Sequence, residues 1–385
     1  MIYLNHAATS FPKPACVIEA YTQSINALPS AQFRSAGIFD NSDLFLQTKK
    51  RLGEILGLAD TKRIYFSSGS TEGLNQIIFG LPFEADQYLT TATEHNSVLR
   101  PLFNLTKGKK PVVVPCDPNG IVHIEQLEAH LSGRTKALVI NHCSNVTGAI
   151  QDMEGIGAFA KAHDLFLIVD VSQSAGCVEI HGDAWGVDAL AFTGHKSLRG
   201  VQGTGGFYIR EGIPLRPLLY GGSGRDSMRI QYEPDTYEYE VGTQNSYGIA
   251  ALNCAAEYVL ERGVAAIHKK ELALAEHLVD RLSSMDHVHI YGASLKDRGP
   301  LVSLSVDGIS PADAAYILQS NYEIITRAGL QCAPLIHGCI GSGENGTLRI
   351  SFSDETEAAQ LDAVAEALGD IAKAANGSEG FYENH

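Results

Sequence analysis

A lysine stands in TGHKSLRG (residues 193–200), directly after the apolar run DALAFT. An ammonium is strongly hydrated, so Lys196 at the end of a run that reads as buried strand calls for a chemical reason. Other polar groups follow apolar runs in the same way. SSGSTEG (67–73) follows RIYF, His95 of TEHNS follows QYLTT, and Asn145 of SNVTG follows KALVINH. Asp170 closes LFLIVD, with Ser172 and Gln173 just beyond. Ser and Thr before a helix are ordinarily N-caps, and no GKS or GKT closes the serine-rich stretch as a P-loop. Hydroxyls and free N–H groups at a helix start can also hold an anion, which makes Ser70 and Thr71 phosphate candidates.

One ligand uses an anion cradle, a buried carboxylate, a flat ring face and a lysine together: pyridoxal 5'-phosphate. Lys196 suits its aldehyde, and a lysine desolvated beside the ring is easier to deprotonate. Asp170 suits the protonated ring nitrogen. Asn145 and Gln173 are candidates for the phenolic oxygen, His95 for stacking on the ring, and His195 for the phosphate.

Elements of a particular kind must bring these groups together. Short apolar runs at 63–66, 87–91, 111–115, 136–142, 165–170, 188–193 and 205–209 alternate with helical patterns. Their even apolarity predicts burial on both faces, as in a mostly parallel sheet covered by helices. Ligands of such sheets bind beyond the carboxyl ends of the strands, where all these polar groups fall. Residues 210–243, rich in Gly, Pro and Tyr, read as a long irregular connection. Two long helices follow, the first ended by Gly263, and the remainder mixes strands such as VHIYG, LVSLSV and TLRISF with helices. The expected architecture is α/β: a large domain over 15–262 with a seven-stranded sheet, and a smaller α+β domain from 1–14 and 263–375. A disordered tail is expected at 376–385.

A chain of 385 residues exceeds one simple core, in keeping with two domains. The net charge of −15 excludes nonspecific attraction to a nucleic-acid backbone. No secretory leader or run long enough to span a bilayer is evident, so a cytoplasmic protein without membrane contact is expected. Seven cysteines are scattered without a CxxC. Cys332 has the polar neighbours Arg327 and His337. Cys332, His337 and Cys339 are close in sequence, but no fourth ligand is evident and no metal site is expected.

The chain resembles the class V aminotransferase-fold enzymes, in the cysteine desulfurase and selenocysteine lyase branch. The resemblance spans nearly the whole chain. It rests on YLNHAATSFPKP (3–14), SSGSTEGLN (67–75), TEHNS (93–97), SNVTG (144–148), VDVSQSAG (169–176), TGHKSLRG (193–200), YEVGTQN (239–245) and TRAGLQCAP (326–334). It implies the pyridoxal-phosphate-dependent transferase fold, fold type I. It gives Lys196, Asp170, His95, Asn145 and Gln173 the roles above, and sets Ser70, Thr71, Gln173 and His195 near the phosphate. Thr243 would reach the phosphate of a neighbouring subunit, implying a homodimer with shared active sites.

Within R-x-G-x-x-C-A the resemblance makes Cys332 the nucleophile that takes sulfur from L-cysteine as a persulfide, releasing L-alanine. Arg349 would bind the substrate carboxylate, with Arg34 and Arg327 as secondary candidates at the same entrance. A sulfur-acceptor protein is a possible partner. The alternative is a selenocysteine lyase, or another C–S lyase or aminotransferase of the same fold. CAPLIH resembles a desulfurase-like subgroup. Two departures stand out: Gln331 replaces a frequent histidine, and in SFSDETE (351–357) Asp354 and Glu355 are expected to alter the pocket edge.

Overall fold

The structure is a computed structural model and describes residues 1–27, 42–222, 228–233, 236–292, 294 and 296–377. Arg34 and residues 378–385 of the expected tail lie outside the described residues.

In chain order the first half contains β1 (Ile2–Tyr3), α1 (Ala15–Asn26), α2 (Ser42–Leu56), β2 (Ile64–Ser67), α3 (Ser70–Gly80), β3 (Tyr88–Thr91), α4 (Asn96–Leu105), β4 (Val112–Val114), α5 (Ile124–Ala129), β5 (Ala137–Asn141), α6 (Met153–Ala162), β6 (Phe166–Asp170), α7 (Gly182–Trp185), β7 (Ala189–Thr193) and β8 (Gly205–Ile209). After the long connection come α8 (Ser246–Arg262), α9 (Val264–Ser283), β9 (Val288–Tyr291), β10 (Leu301–Val306), α10 (Pro311–Tyr322), β11 (Ile324–Ile325), β12 (Arg327–Gly329), α11 (Ile336–Ile340), β13 (Thr347–Ser351) and α12 (Ala358–Gly377).

Seven strands form the large sheet in the order β2-β8-β7-β6-β5-β3-β4. The strands from β4 to β7 run parallel, and β8 is antiparallel to both β7 and β2. The even apolarity of the strands has the expected cause. Leu138 and Ile140 of β5 pack on one face with Ile156, Phe159 and Leu252. Ala137 and Val139 of the same strand pack on the other with Leu74, Ile77 and Val98. Fully burying each of the larger of these side chains, Leu, Ile, Val or Phe, stabilises the fold by roughly 1.5–3 kcal/mol, so the strand ends form a rigid base.

A smaller antiparallel sheet, β12-β13-β10-β9, carries its own core with α9, α10 and α12. The chain start returns to this part: β1 pairs in parallel with β11, and Leu4 lies in the same core. Gly263 ends α8 at φ 77°, as its position predicts. The described part of the long connection carries no α-helix or strand. Helix α12 continues through Gly377, past the expected start of the tail at 376. Asn376 is held there, its Nδ2 donating to the carbonyls of Ala372 and Asp307.

Candidate active site

The carboxyl ends of β3, β5, β6 and β7 and the start of α3 enclose a cavity of about 430 Å³. Ser70, Thr71, His95, Asn145, Asp170, Gln173, His195 and Lys196 all line it. The parallel register explains the convergence: Asn141 lies opposite Asp170, and Asp170 opposite Ala191, two residues before the end of β7.

Burial lowers the Lys196 ammonium to about 8; the Asp170 carboxylate opposes this and Arg349 adds to it. A substantial fraction of the amine is therefore neutral near physiological pH. Asp170 is held by Ser172, whose N–H donates to Oδ1 at 2.9 Å and whose hydroxyl donates to the same oxygen. His95 is the N-cap of α4, and its Nδ1 accepts the Ser97 N–H at 3.0 Å. Burial, with Lys196 second, lowers this imidazole to about 4. The ring is therefore neutral with its proton on Nε2.

The carbonyl of His195, next to the lysine, accepts from Ser10 N at 3.0 Å, Thr9 Oγ1 and Ser10 Oγ at 3.1 Å, and Lys13 Nζ at 2.9 Å. The segment after β1 thus straps the backbone that carries Lys196. His195 Nδ1 is buried without a partner among the described residues, and burial lowers its imidazole to about 4. At the start of α3, Ser70 and Thr71 bring hydroxyls and first-turn N–H groups to the cavity. A Cβ at Gly205 would fall 2.6 Å from Gly69 Cα, so glycine is what lets β8 pack against this turn. The Gln173 amide donates to the Ala7 carbonyl at 3.1 Å.

Thr243 lies elsewhere, in a neighbouring cavity of about 180 Å³ that shares Ser68 and Gly203 with the first. Cys332 is exposed and opens on an adjoining groove that shares Thr71, His95 and Ser97 with the main cavity. Gln331 and Cys332 adopt left-handed backbone, φ 45° and 59°. The loop is pinned on several sides. Asn145 Nδ2 donates to the Gln331 carbonyl at 2.7 Å, and Asn96 N to the Cys332 carbonyl at 2.7 Å. Gln331 Nε2 donates to the Thr347 carbonyl at 2.8 Å, and His337 Nε2 to the Leu330 carbonyl at 3.2 Å. Gln331, the departure from the frequent histidine, is thus a buried brace rather than a group facing the thiol.

Arg349, on β13, is 3% exposed. Its guanidinium donates to the Asn145 carbonyl at 2.8 Å and Asn5 Oδ1 at 3.3 Å, and its Nε has no partner. Among the described residues no carboxylate pairs with it. Burial, with Arg327 second, lowers it to about 9. Arg327 lies opposite Arg349 on β12 and is exposed.

Asp354 does not form a pocket edge, contrary to the sequence expectation. It is 2% exposed and lies between Arg199, at 2.5 Å, and Arg262. Glu355 faces Arg199 at 3.5 Å. This ion cluster ties the lysine loop to the smaller sheet's periphery. Glu94, beside His95 and given no role by any of the motifs above, is fully buried. Its position in TEHNS looks like an ordinary acidic helix start, so residue type alone gave little signal.

The chain matches the description Aminotransferase class-V over residues 2–364. It is 29% identical over 387 residues to a probable cysteine desulfurase of Methanothermobacter thermautotrophicus, covering 96% of this chain and 94% of the relative. Among solved structures it is similar to the apo cysteine desulfurase of Thermococcus onnurineus NA1, with a TM-score of 0.87, 28% identity and coverage of 97% and 95%. The cysteine desulfurase CsdA of Escherichia coli, in an S-sulfonic acid form, has a TM-score of 0.83 at 25% identity, with coverage of 96% and 94%.

Proposed function

We propose, from a chain that belongs to the class-V aminotransferase family in its cysteine desulfurase/NifS-like branch, that this enzyme takes sulfur from L-cysteine and releases L-alanine. The observation that carries the reading is the meeting of Lys196, Asp170 and His95 in one cavity, with Cys332 on the groove that shares His95. Family and fold imply pyridoxal phosphate, and the residues present fit it. An unpartnered His195 nitrogen and a helix start suit a phosphate, a buried carboxylate suits a pyridinium, and a partly neutral lysine suits an aldehyde. When bound, the group would supply that aldehyde and a ring that accepts electron pairs from the substrate's breaking bonds.

The chain's own residues set up the rest. Lys196 offers the amine and can carry a proton on Nζ. With the group bound, Asp170 would keep a proton on its ring nitrogen, and His95, neutral with its proton on Nε2, would close one face of the ring. The unpaired Arg349 guanidinium receives the substrate carboxylate, a planar acceptor that replaces no existing ion pair. The Cys332 thiolate attacks the substrate sulfur. An S–S bond forms, the C–S bond breaks, and its electron pair stays with the substrate carbon, which is then protonated to give alanine. Cys332 is left as a persulfide that an acceptor thiol can collect from the exposed groove.

We further assign Thr243 to the phosphate of a second copy of the chain. Its separate cavity adjoins the cleft through Ser68 and Gly203. Leu218, Leu219, Tyr220, Met228 and Ile230 of the same connection are exposed apolar groups suited to such a contact. Among the described residues no helix is long and apolar enough to cross a membrane.

The test is product analysis of the cofactor-loaded enzyme with L-cysteine and L-selenocysteine in parallel. Alanine from cysteine, lost in Cys332→Ala while the visible cofactor band remains, supports the reading. Pyruvate and ammonia would mark β-elimination instead. Alanine only from selenocysteine would favour the lyase.

A further inference from the structure

Beneath the cavity floor lies a carboxyl group with no place in the chemistry above. Glu94 is fully buried between β3 and α4. Its Oε1 accepts Asn141 N at 2.9 Å, Asn141 Nδ2 at 2.9 Å and Thr91 Oγ1 at 2.7 Å. Its Oε2 has no partner, nor does Asn141 Oδ1. Asn141 Nδ2 also donates to Thr93 Oγ1 at 2.7 Å. Asn141 and Thr93 line the cavity; Glu94 does not.

An ionised carboxylate would bury one bare oxygen and place a second negative charge near Asp170, both costly in this setting. The side chains that hydrogen-bond to the Glu94 carboxyl are the uncharged Thr91, Thr93 and Asn141. His95 adjoins it in the chain and is neutral, and Lys196 acts from across the cavity on Asp170. Burial pushes the Glu94 carboxyl up to about 8, and Asp170 raises it further against its hydrogen bonds. Asp170 is the only carboxylate among the described residues that line the cavity.

We propose that Glu94 is held as a neutral carboxylic acid and serves as a positioning residue, fixing Asn141 and Thr93 at the cavity floor while leaving Asp170 as the one anion facing a bound group. The part of this that concerns a bound group rests on the proposed function; the protonation state does not.

The first test uses cofactor-free protein. In the unfolded chain the carboxyl titrates near its ordinary value of 4.5, and in the folded protein near 8. Its favourable contribution is therefore complete below about 4.5 and is lost as pH rises to about 8. Glu94→Gln removes this dependence. The Tm of the variant relative to wild type should rise by at least about 2 °C between pH 5 and pH 8. A difference that stays constant or falls overturns the proposal.

The second test measures pyridoxal phosphate affinity at pH 7 by the visible band. Glu94→Ala should weaken binding by about tenfold, and Glu94→Gln, which keeps the acceptor for Asn141, should recover most of it. A glutamine variant as weak as the alanine variant would show that an ionised carboxylate is required, which also overturns the proposal. A colourless wild type would end the proposed function and leave the thermal result to decide the state of Glu94.

Discussion

The strand-end cavity and the Cys332 loop sit side by side but are built differently. In the cavity, Asp170 ends a strand buried on both faces, and Lys196 follows another by three residues. The sheet register fixes them whatever else is bound. The cysteine stands on a short loop in left-handed backbone, a conformation that costs of order 1–3 kcal/mol per residue. Hydrogen bonds from Asn96 and Asn145, and the braces Gln331 and His337, hold it there. One region is rigid because of its core; the other is rigid only because of its neighbours. Cofactor capture and sulfur capture should therefore fail separately.

The sharpest break in that comparison sets Lys196→Ala against Cys332→Ala. The lysine variant should lose both the visible band and turnover, by roughly four orders of magnitude. The cysteine variant should lose sulfur release and keep the band. Loss of the band in both would mean the two regions are not independent.

Next in size is Asp354→Ala, which removes the 2.5 Å carboxylate partner of buried Arg199 and leaves it only Glu355 at 3.5 Å. Removing one partner of a buried pair costs about 3–5 kcal/mol. A Tm fall on the order of 10 °C should be seen by calorimetry. A fall of a degree or less would mean the cluster does not join the lysine loop to the smaller sheet.

The cavity was legible in the sequence because strand ends are legible: an even apolar run followed by a polar residue marks both an element and its mouth. All seven strands of the large sheet coincide with such runs to within a residue or two. The loop was less legible. Its motif marked Cys332, but what holds it comes from distant chain: Asn145 lies 186 residues from Gln331. Asp354 was misplaced for the same reason, since its partners Arg199 and Arg262 are 155 and 92 residues away. Glu94 was overlooked because an acid at a helix start is ordinarily exposed, and only the packed fold shows it buried. Arg34 falls outside the described residues.

Smaller effects sharpen the contrast. Asn145→Ala removes the tie between the cavity wall and the loop. Sulfur release should fall between about tenfold and a hundredfold while the band persists, as expected from a misplaced thiol. An equal loss of cofactor affinity would show that Asn145 also holds the cofactor, the role the resemblance gives it. The pH dependence should be gentler still. Because burial lowers Lys196 to about 8, cofactor uptake by the apoprotein should quicken as pH rises through that value and level off above it. A midpoint near an ordinary lysine value, followed by stopped-flow absorbance, would mean the amine is not desolvated.

The central claim is that Lys196 is the residue that captures the cofactor. Borohydride reduction of the loaded enzyme followed by peptide mapping tests it directly. The account predicts a phosphopyridoxyl group on the peptide containing Lys196 and none in Lys196→Ala. Label on a different lysine, or no label at all on wild type, would contradict it.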